Sequence, residues 1–162
     1  MSIVSPKRSG IFTISLDFEL HWGGVEKRTL PEYEQYFRNT RQVIPRILDL
    51  FACYEVHATW ATVGMLFHET LSDLQANLPQ QKPVYFDPSI STYHYLQTGY
   101  MGQHELDDPF HFAPTLIRKI AVTQHQEIGT HTYSHYYCNE PGQTPETFRE
   151  DLRAAMRAAA GY

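Results

Sequence analysis

Apolar positions along the chain recur with two periods, one suited to strands and one to helices. From Ile11 to Leu16 the chain is largely apolar and β-branched, as in a strand buried on both faces of a parallel sheet. Pro31 opens a pattern in which Tyr33, Phe37, Val43 or Ile44, Ile47, Leu48 and Phe51 recur at helical spacing. Pro45 lies inside that pattern and predicts a kink or a split. Glu55 to Val63 reads as a second strand, and Gly64 starts a helix that runs to about Leu78, before Pro79 and Pro83. Residues 79–112 fit no regular element, with four prolines, two glycines and seven aromatics, and predict a long irregular insertion. Pro114 begins a further helix with Leu116, Ile117, Ile120 and Ala121 on its apolar face, and Glu127 to Thr130 is a short third strand. Thr144 is placed to cap a last helix with Pro145 at its first position. Its expected buried stripe is Phe148, Leu152, Ala155, Met156 and Ala159.

Strands alternating with helices predict right-handed crossovers and a parallel sheet, hence one α/β domain over residues 1–162. Ligands in such sheets gather at the carboxyl ends of the strands. Two motifs fall there: Ser15-Leu16-Asp17-Phe18-Glu19, and Gly129-Thr130-His131-Thr132-Tyr133-Ser134-His135. With 42% hydrophobic and 19% charged residues the chain is globular and not disordered. The net charge of −5 and the lack of a Lys/Arg run argue against a nucleic-acid partner. Cys53 and Cys138 have no CxxC spacing and read as reduced thiols. Lys7 and Arg8 lead into an apolar run too short for a signal-peptide core, and no stretch is long enough to span a membrane. A cytoplasmic location is the expectation.

On a helical turn His131 and His135 would share one face and could grip one ion. Asp17 and Glu19, two apart, place both side chains on one face of a strand. Near a cation, one carboxylate of such a pair binds the metal and the other takes a proton from water. Two imidazoles and a carboxylate leave positions open for water and substrate, as a hydrolytic metal site requires. Trp22 and Tyr133 are candidate substrate contacts, and the aromatics of 79–112 either stack on sugar rings or pack together as the insertion's own core. His94, His104 and His111 read as exposed loop histidines.

The combination of SLDFE, HATWATVG and EIGTHTYSH resembles the polysaccharide deacetylases of the NodB-homology type, carbohydrate esterase family 4, over roughly residues 11–67 and 113–160. The usual first motif of that family is TFDD, and Asp-Phe-Glu here resembles a divergent Asp-x-Glu branch. The resemblance implies a distorted (β/α) barrel, incomplete in this chain, and hydrolysis of N-acetyl groups on a carbohydrate. It implies Asp17 as catalytic base and Glu19, His131 and His135 as ligands of a divalent metal. Zinc is the first choice, with Co2+, Ni2+ or Fe2+ also suited to the donors. The family's later motifs carry an Arg that orients the base and a His that serves as general acid, and their positions would fall beyond Tyr162. The expectation is therefore an N-terminal part of the family's domain, poorly active or inactive, with an uncovered sheet edge that favours self-association. Two rivals use the same residues: a non-catalytic, metal-containing sugar-binding or scaffold protein, and a non-haem iron oxygenase, which its usual β-sandwich setting disfavours.

Overall fold

The computed structural model describes residues 10–162, so Lys7 and Arg8 lie outside the described residues. Strands β1 (Ser15–Phe18), β2 (Ala58–Thr62) and β3 (Gln126–Thr130) form a parallel sheet in the order β1-β2-β3. Five α-helices are described: α1 (Leu30–Cys53), α2 (Leu71–Ala76), α3 (Thr92–Thr98), α4 (Pro114–Val122) and α5 (Pro145–Ala159). The mixed α/β class and the parallel pairing agree with the strand–helix alternation. Among the described residues the sheet is open, with β1 and β3 at its edges.

The sheet's core side is set by side-chain alternation. Ala58, Trp60 and Thr62 of β2 are buried, and the Phe18 and Trp60 rings meet edge-on with centroids 6.4 Å apart. Ile44 and Leu48 of α1 and Leu116, Ile117 and Ile120 of α4 belong to the same core. Burying a side chain of this kind stabilises the fold by about 1.5–3 kcal/mol relative to leaving it exposed.

Several sequence expectations need correction. Pro45 does not split α1, which runs unbroken through it. The proline removes one helical N–H donor, while Ile44 and Leu48 on either side bury into the core and hold the helix together. The helix expected from Gly64 to Leu78 is two pieces, a 3-10 turn at Gly64–Phe67 and then α2. His68 lies extended between them, and the Thr70 side chain accepts the Asp73 N–H to start α2 afresh. The segment 79–112 contains a regular element after all: Ser91 caps α3 by accepting from the His94 N–H. The stripe on α5 is turned from the expected one, with Asp151, Ala154 and Ala155 buried and Met156 exposed.

Nor is the aromatic-rich segment a core of its own. Tyr93 and Phe112 join the main core, while Phe86 and Tyr100 are exposed. The Arg41 guanidinium of α1 ties the segment down, donating to the carbonyls of Pro109 at 3.2 Å and Phe112 at 3.1 Å and pairing with Glu105. His94 and His104 are exposed, as read from the sequence, but His111 is fully buried.

Candidate metal centre

The strand ends are level. Phe18 pairs with Thr62, and Thr62 pairs with Thr130, so Glu19 and His131 are each the first residue past the same edge of the sheet. Backbone bonds continue that alignment for one residue: Val63 N–H donates to the Phe18 carbonyl at 3.0 Å and His131 N–H to the Thr62 carbonyl at 2.9 Å. Glu19 and His131 thus flank β2 from either side. Two strand spacings separate their backbones by about 9–10 Å, a gap that a glutamate and an imidazole can close between them.

They do close it. Glu19 Oε2 lies 3.4 Å from His131 Nε2 and 3.2 Å from His135 Nε2. One ligand atom from each of these three residues falls within 4.8 Å of the others. An ion held tetrahedrally at about 2.0–2.2 Å keeps adjacent ligand atoms about 3.3–3.6 Å apart, so the spacing and the chemistry of the donors fit a zinc-type ion. Asp17 stands beside the cluster, its Oδ1 at 3.7 Å from His131 Nδ1, and its side chain is 61% exposed. The sequence-predicted base and the three predicted ligands are therefore in one place. Gly23 makes room for the Glu19 carboxylate, since a Cβ there would lie 1.9 Å from Glu19 Cδ.

The histidines do not meet on a helical turn. Residues 131–136 form an irregular loop in which Thr132 (φ 62°) and His135 (φ 51°) are left-handed, a conformation uncommon for residues with a Cβ. Its polar groups are tied down one by one. Gly64 N–H donates to the Thr132 carbonyl at 2.9 Å and Met65 N–H to the Tyr133 carbonyl at 3.0 Å. The Thr132 hydroxyl accepts from Tyr136 N–H at 2.7 Å. A Cβ on Gly64 would sit 2.9 Å from Tyr133 Cα, so glycine permits this approach.

Asp151 of α5 is the hub of the loop, and nothing in the sequence marked it as functional. Fully buried, it accepts the Tyr133 N–H at 2.6 Å, the Ser134 hydroxyl, and the Tyr93 hydroxyl at 3.3 Å. Burial raises its pKa above the ordinary aspartate value, against the pull of these donors. The available signal was its helical spacing to Ala154 and Ala155, which puts it on the inward face. Glu26 and Tyr137 were also missed. The Tyr137 ring stands edge-on to His135 at 5.2 Å, its hydroxyl donates to Glu26 Oε1 at 2.8 Å, and Glu26 Oε2 is buried without a partner among the described residues.

Trp22 and Tyr133 are not at the surface of this site. Trp22 is buried with its indole N–H on the His111 carbonyl at 2.9 Å. Tyr133 is buried with its hydroxyl 2.9 Å from His68 Nε2. Both are core residues with their polar atoms engaged, so neither is a substrate contact here.

The electrostatics suit metal uptake. His131, then His135, hold the Glu19 carboxyl down at about 2, so it is ionised throughout the neutral range. Glu19 in turn raises the His131 pKa. A ligand imidazole must be neutral, so the ion competes with a proton at His131. Affinity for Co2+ is expected to rise from about pH 6 to about pH 8, because deprotonating His131 removes that competition. Calorimetric titration at several pH values checks this, and an affinity that falls over the same interval contradicts it.

Comparison with known families gives one finding: residues 34–160 match the family described as Polysaccharide deacetylase. The matched span contains His131 and His135, and the structure is what adds Asp17 and Glu19 to them. No curated protein and no solved structure matched the chain.

Proposed function

The chain belongs to the polysaccharide deacetylase family, and from that membership we propose that it is a metal-dependent hydrolase removing N-acetyl groups from a carbohydrate. The observation that carries the reading is the convergence of Glu19, His131 and His135, with Asp17 alongside. On this reading the parallel sheet is one wall of a distorted (β/α) barrel with its site at the carboxyl ends of the strands.

Glu19, His131 and His135 would hold the ion, zinc first among those that the donors suit. When bound, it would polarise the acetyl carbonyl and make a water easier to deprotonate. Asp17 accepts that proton. Its carboxylate is largely exposed, lies outside the three-residue ligand group and approaches His131 at Nδ1, the ring nitrogen turned away from Glu19, so it is free to act as a base without being a ligand itself.

Protonation of the leaving amine is where the described residues offer least. His57 and His125 stack against each other at the opposite end of the strands, where they line a cavity with Thr59 and Glu127. His21 and His111 are buried and bonded to one another, and His94 and His104 are exposed on the insertion. General acid catalysis contributes about 10²–10⁴-fold, so release of an amine is expected to be slow and release of a phenolate, which leaves without protonation, comparatively fast. Hydrolysis of 4-nitrophenyl acetate and acetate release from N-acetylated chitooligosaccharides, with and without a chelator, test the proposal. Ester hydrolysis that stops on chelation and returns with added zinc is the expected result. Hydrolysis indifferent to chelation contradicts it.

A further inference from the structure

We propose that Asp108, His111 and His21 form a buried positioning unit that fixes Glu19, so that the insertion holds the carboxylate side of the metal centre in place. The inference rests on the reading of Glu19 as a metal ligand.

Strand β1 ends at Phe18, and Glu19 therefore has no sheet pairing of its own to hold it. Leu20 immediately after it is left-handed (φ 46°), a backbone state that leucine keeps only when its surroundings impose it. The 3-10 turn that follows, Leu20–Gly23, is clamped at several points. Trp22 N–H donates to the Glu19 carbonyl at 3.1 Å, and His21 N–H donates to the Phe110 carbonyl at 3.3 Å. The Trp22 indole reaches the His111 carbonyl at 2.9 Å. Gly23 in this turn lies directly beneath the Glu19 carboxylate, so where the turn sits decides where the carboxylate sits.

The side chains beneath the turn form one continuous chain of hydrogen bonds. His21 Nε2 donates to the Arg28 carbonyl at 2.7 Å, and His21 Nδ1 meets His111 Nε2 at 2.7 Å. His111 Nδ1 donates to Asp108 at 2.8 Å, and Asp108 also accepts Gly102 N–H at 2.9 Å and Phe110 N–H at 3.3 Å. His21, His111 and Asp108 are 1%, 0% and 2% exposed. A carbonyl and a carboxylate can only accept, so the two outer links each need a ring N–H, and the ring-to-ring link needs another. These links leave no ring nitrogen of the pair without a neighbour. Burying such a set is costly unless every link is made, and apolar side chains would fill the same space at lower cost. Trp22, Phe37 and Tyr95 already surround it with rings. The polar chain fixes geometry that packing alone would leave loose: it joins a point some ninety residues along the sequence to the turn that carries Glu19.

The test compares His111→Gln and Asp108→Asn with Leu74→Ala, a truncation of an equally buried residue on α2 that has no part in the chain of bonds. Two readouts are taken on the full chain: the ring resonances of His131 and His135 in metal-free protein, and the Co2+ affinity and visible spectrum. Changing a residue that orients a metal ligand typically weakens metal binding about 10–100-fold. We expect a loss of that size, with an altered spectrum and shifted His131 resonances, in His111→Gln and Asp108→Asn. Leu74→Ala should leave all three near wild type even where it lowers thermal stability as much. Unchanged His131 resonances in the folded His111→Gln or Asp108→Asn protein overturn the inference. A wild-type chain that takes up no Co2+ at Glu19 refutes the metal reading instead, and the metal-free resonances still decide whether the unit positions the turn.

Discussion

Asp17→Asn is expected to slow hydrolysis of an aryl acetate by about 10²–10⁴-fold while the chain still binds one zinc. The amide has the size of the carboxylate but cannot accept a proton from water. Asp17 lies 3.7 Å from His131 Nδ1 and outside the three-residue ligand group, so its replacement leaves the ion's donors in place. Glu19→Gln should do the reverse, losing the metal and the activity with it. The two variants therefore separate base from ligand, a division that an Asp-x-Glu motif leaves open in the sequence. Metal content measured beside kcat for both proteins is the check. Loss of zinc in Asp17→Asn with retention in Glu19→Gln would mean that the two carboxylates have exchanged roles.

Asp151→Leu is expected to destabilise the chain by about 3–9 kcal/mol and to weaken metal binding with it. The change leaves the Tyr133 N–H and the hydroxyls of Ser134 and Tyr93 without their acceptor in the interior. Each buried group left unpaired costs about 1–3 kcal/mol. Since a domain is stable by only about 5–15 kcal/mol, the loss would bring it near unfolding. Asp151→Asn should be milder. Its oxygen can still take the Tyr133 N–H, the hydroxyls can turn to accept from its amide, and burial already raises the pKa of Asp151 toward the neutral form. Urea unfolding of the two variants, read with Co2+ affinity, checks the ranking. Wild-type stability in Asp151→Leu would remove Asp151 from the account of the histidine loop.

The contrast between these two aspartates shows where the sequence was legible. Asp17 announces itself because an acid at the end of an apolar strand is conspicuous. Asp151 hides in an amphipathic helix, where a polar residue is expected to face water, and its neighbours Ala154 and Ala155 are too small to mark the buried side. Strands β2 and β3 fall inside the runs read as strands, and the parallel order followed from the alternation with helices, but β1 lies at Ser15–Phe18, shifted toward the acids from the β-branched run at its start, where Ile11 and Phe12 are exposed. The break at His68–Thr70 was not, because helical spacing on either side reads as one element and only the Thr70 cap divides it. For the histidines, spacing suggested a shared helical face. They do converge, but through a loop with left-handed residues held by Asp151 and the Gly64 backbone. Trp22 and Tyr133 were misplaced for a related reason: closeness to a motif in sequence says nothing about which way a large ring points. Here the core, including His111 and His68, takes both.

A metal ion bound by Glu19, His131 and His135 is what the deacetylase reading most directly requires. Crystals of the zinc-loaded chain, measured at the zinc absorption edge, should show one strong anomalous peak per chain about 2.0–2.2 Å from Glu19 Oε2, His131 Nε2 and His135 Nε2, with Asp17 next to it and unbound. A peak elsewhere, such as between the stacked His57 and His125, or no peak at the Glu19 cluster in fully loaded protein, would contradict it.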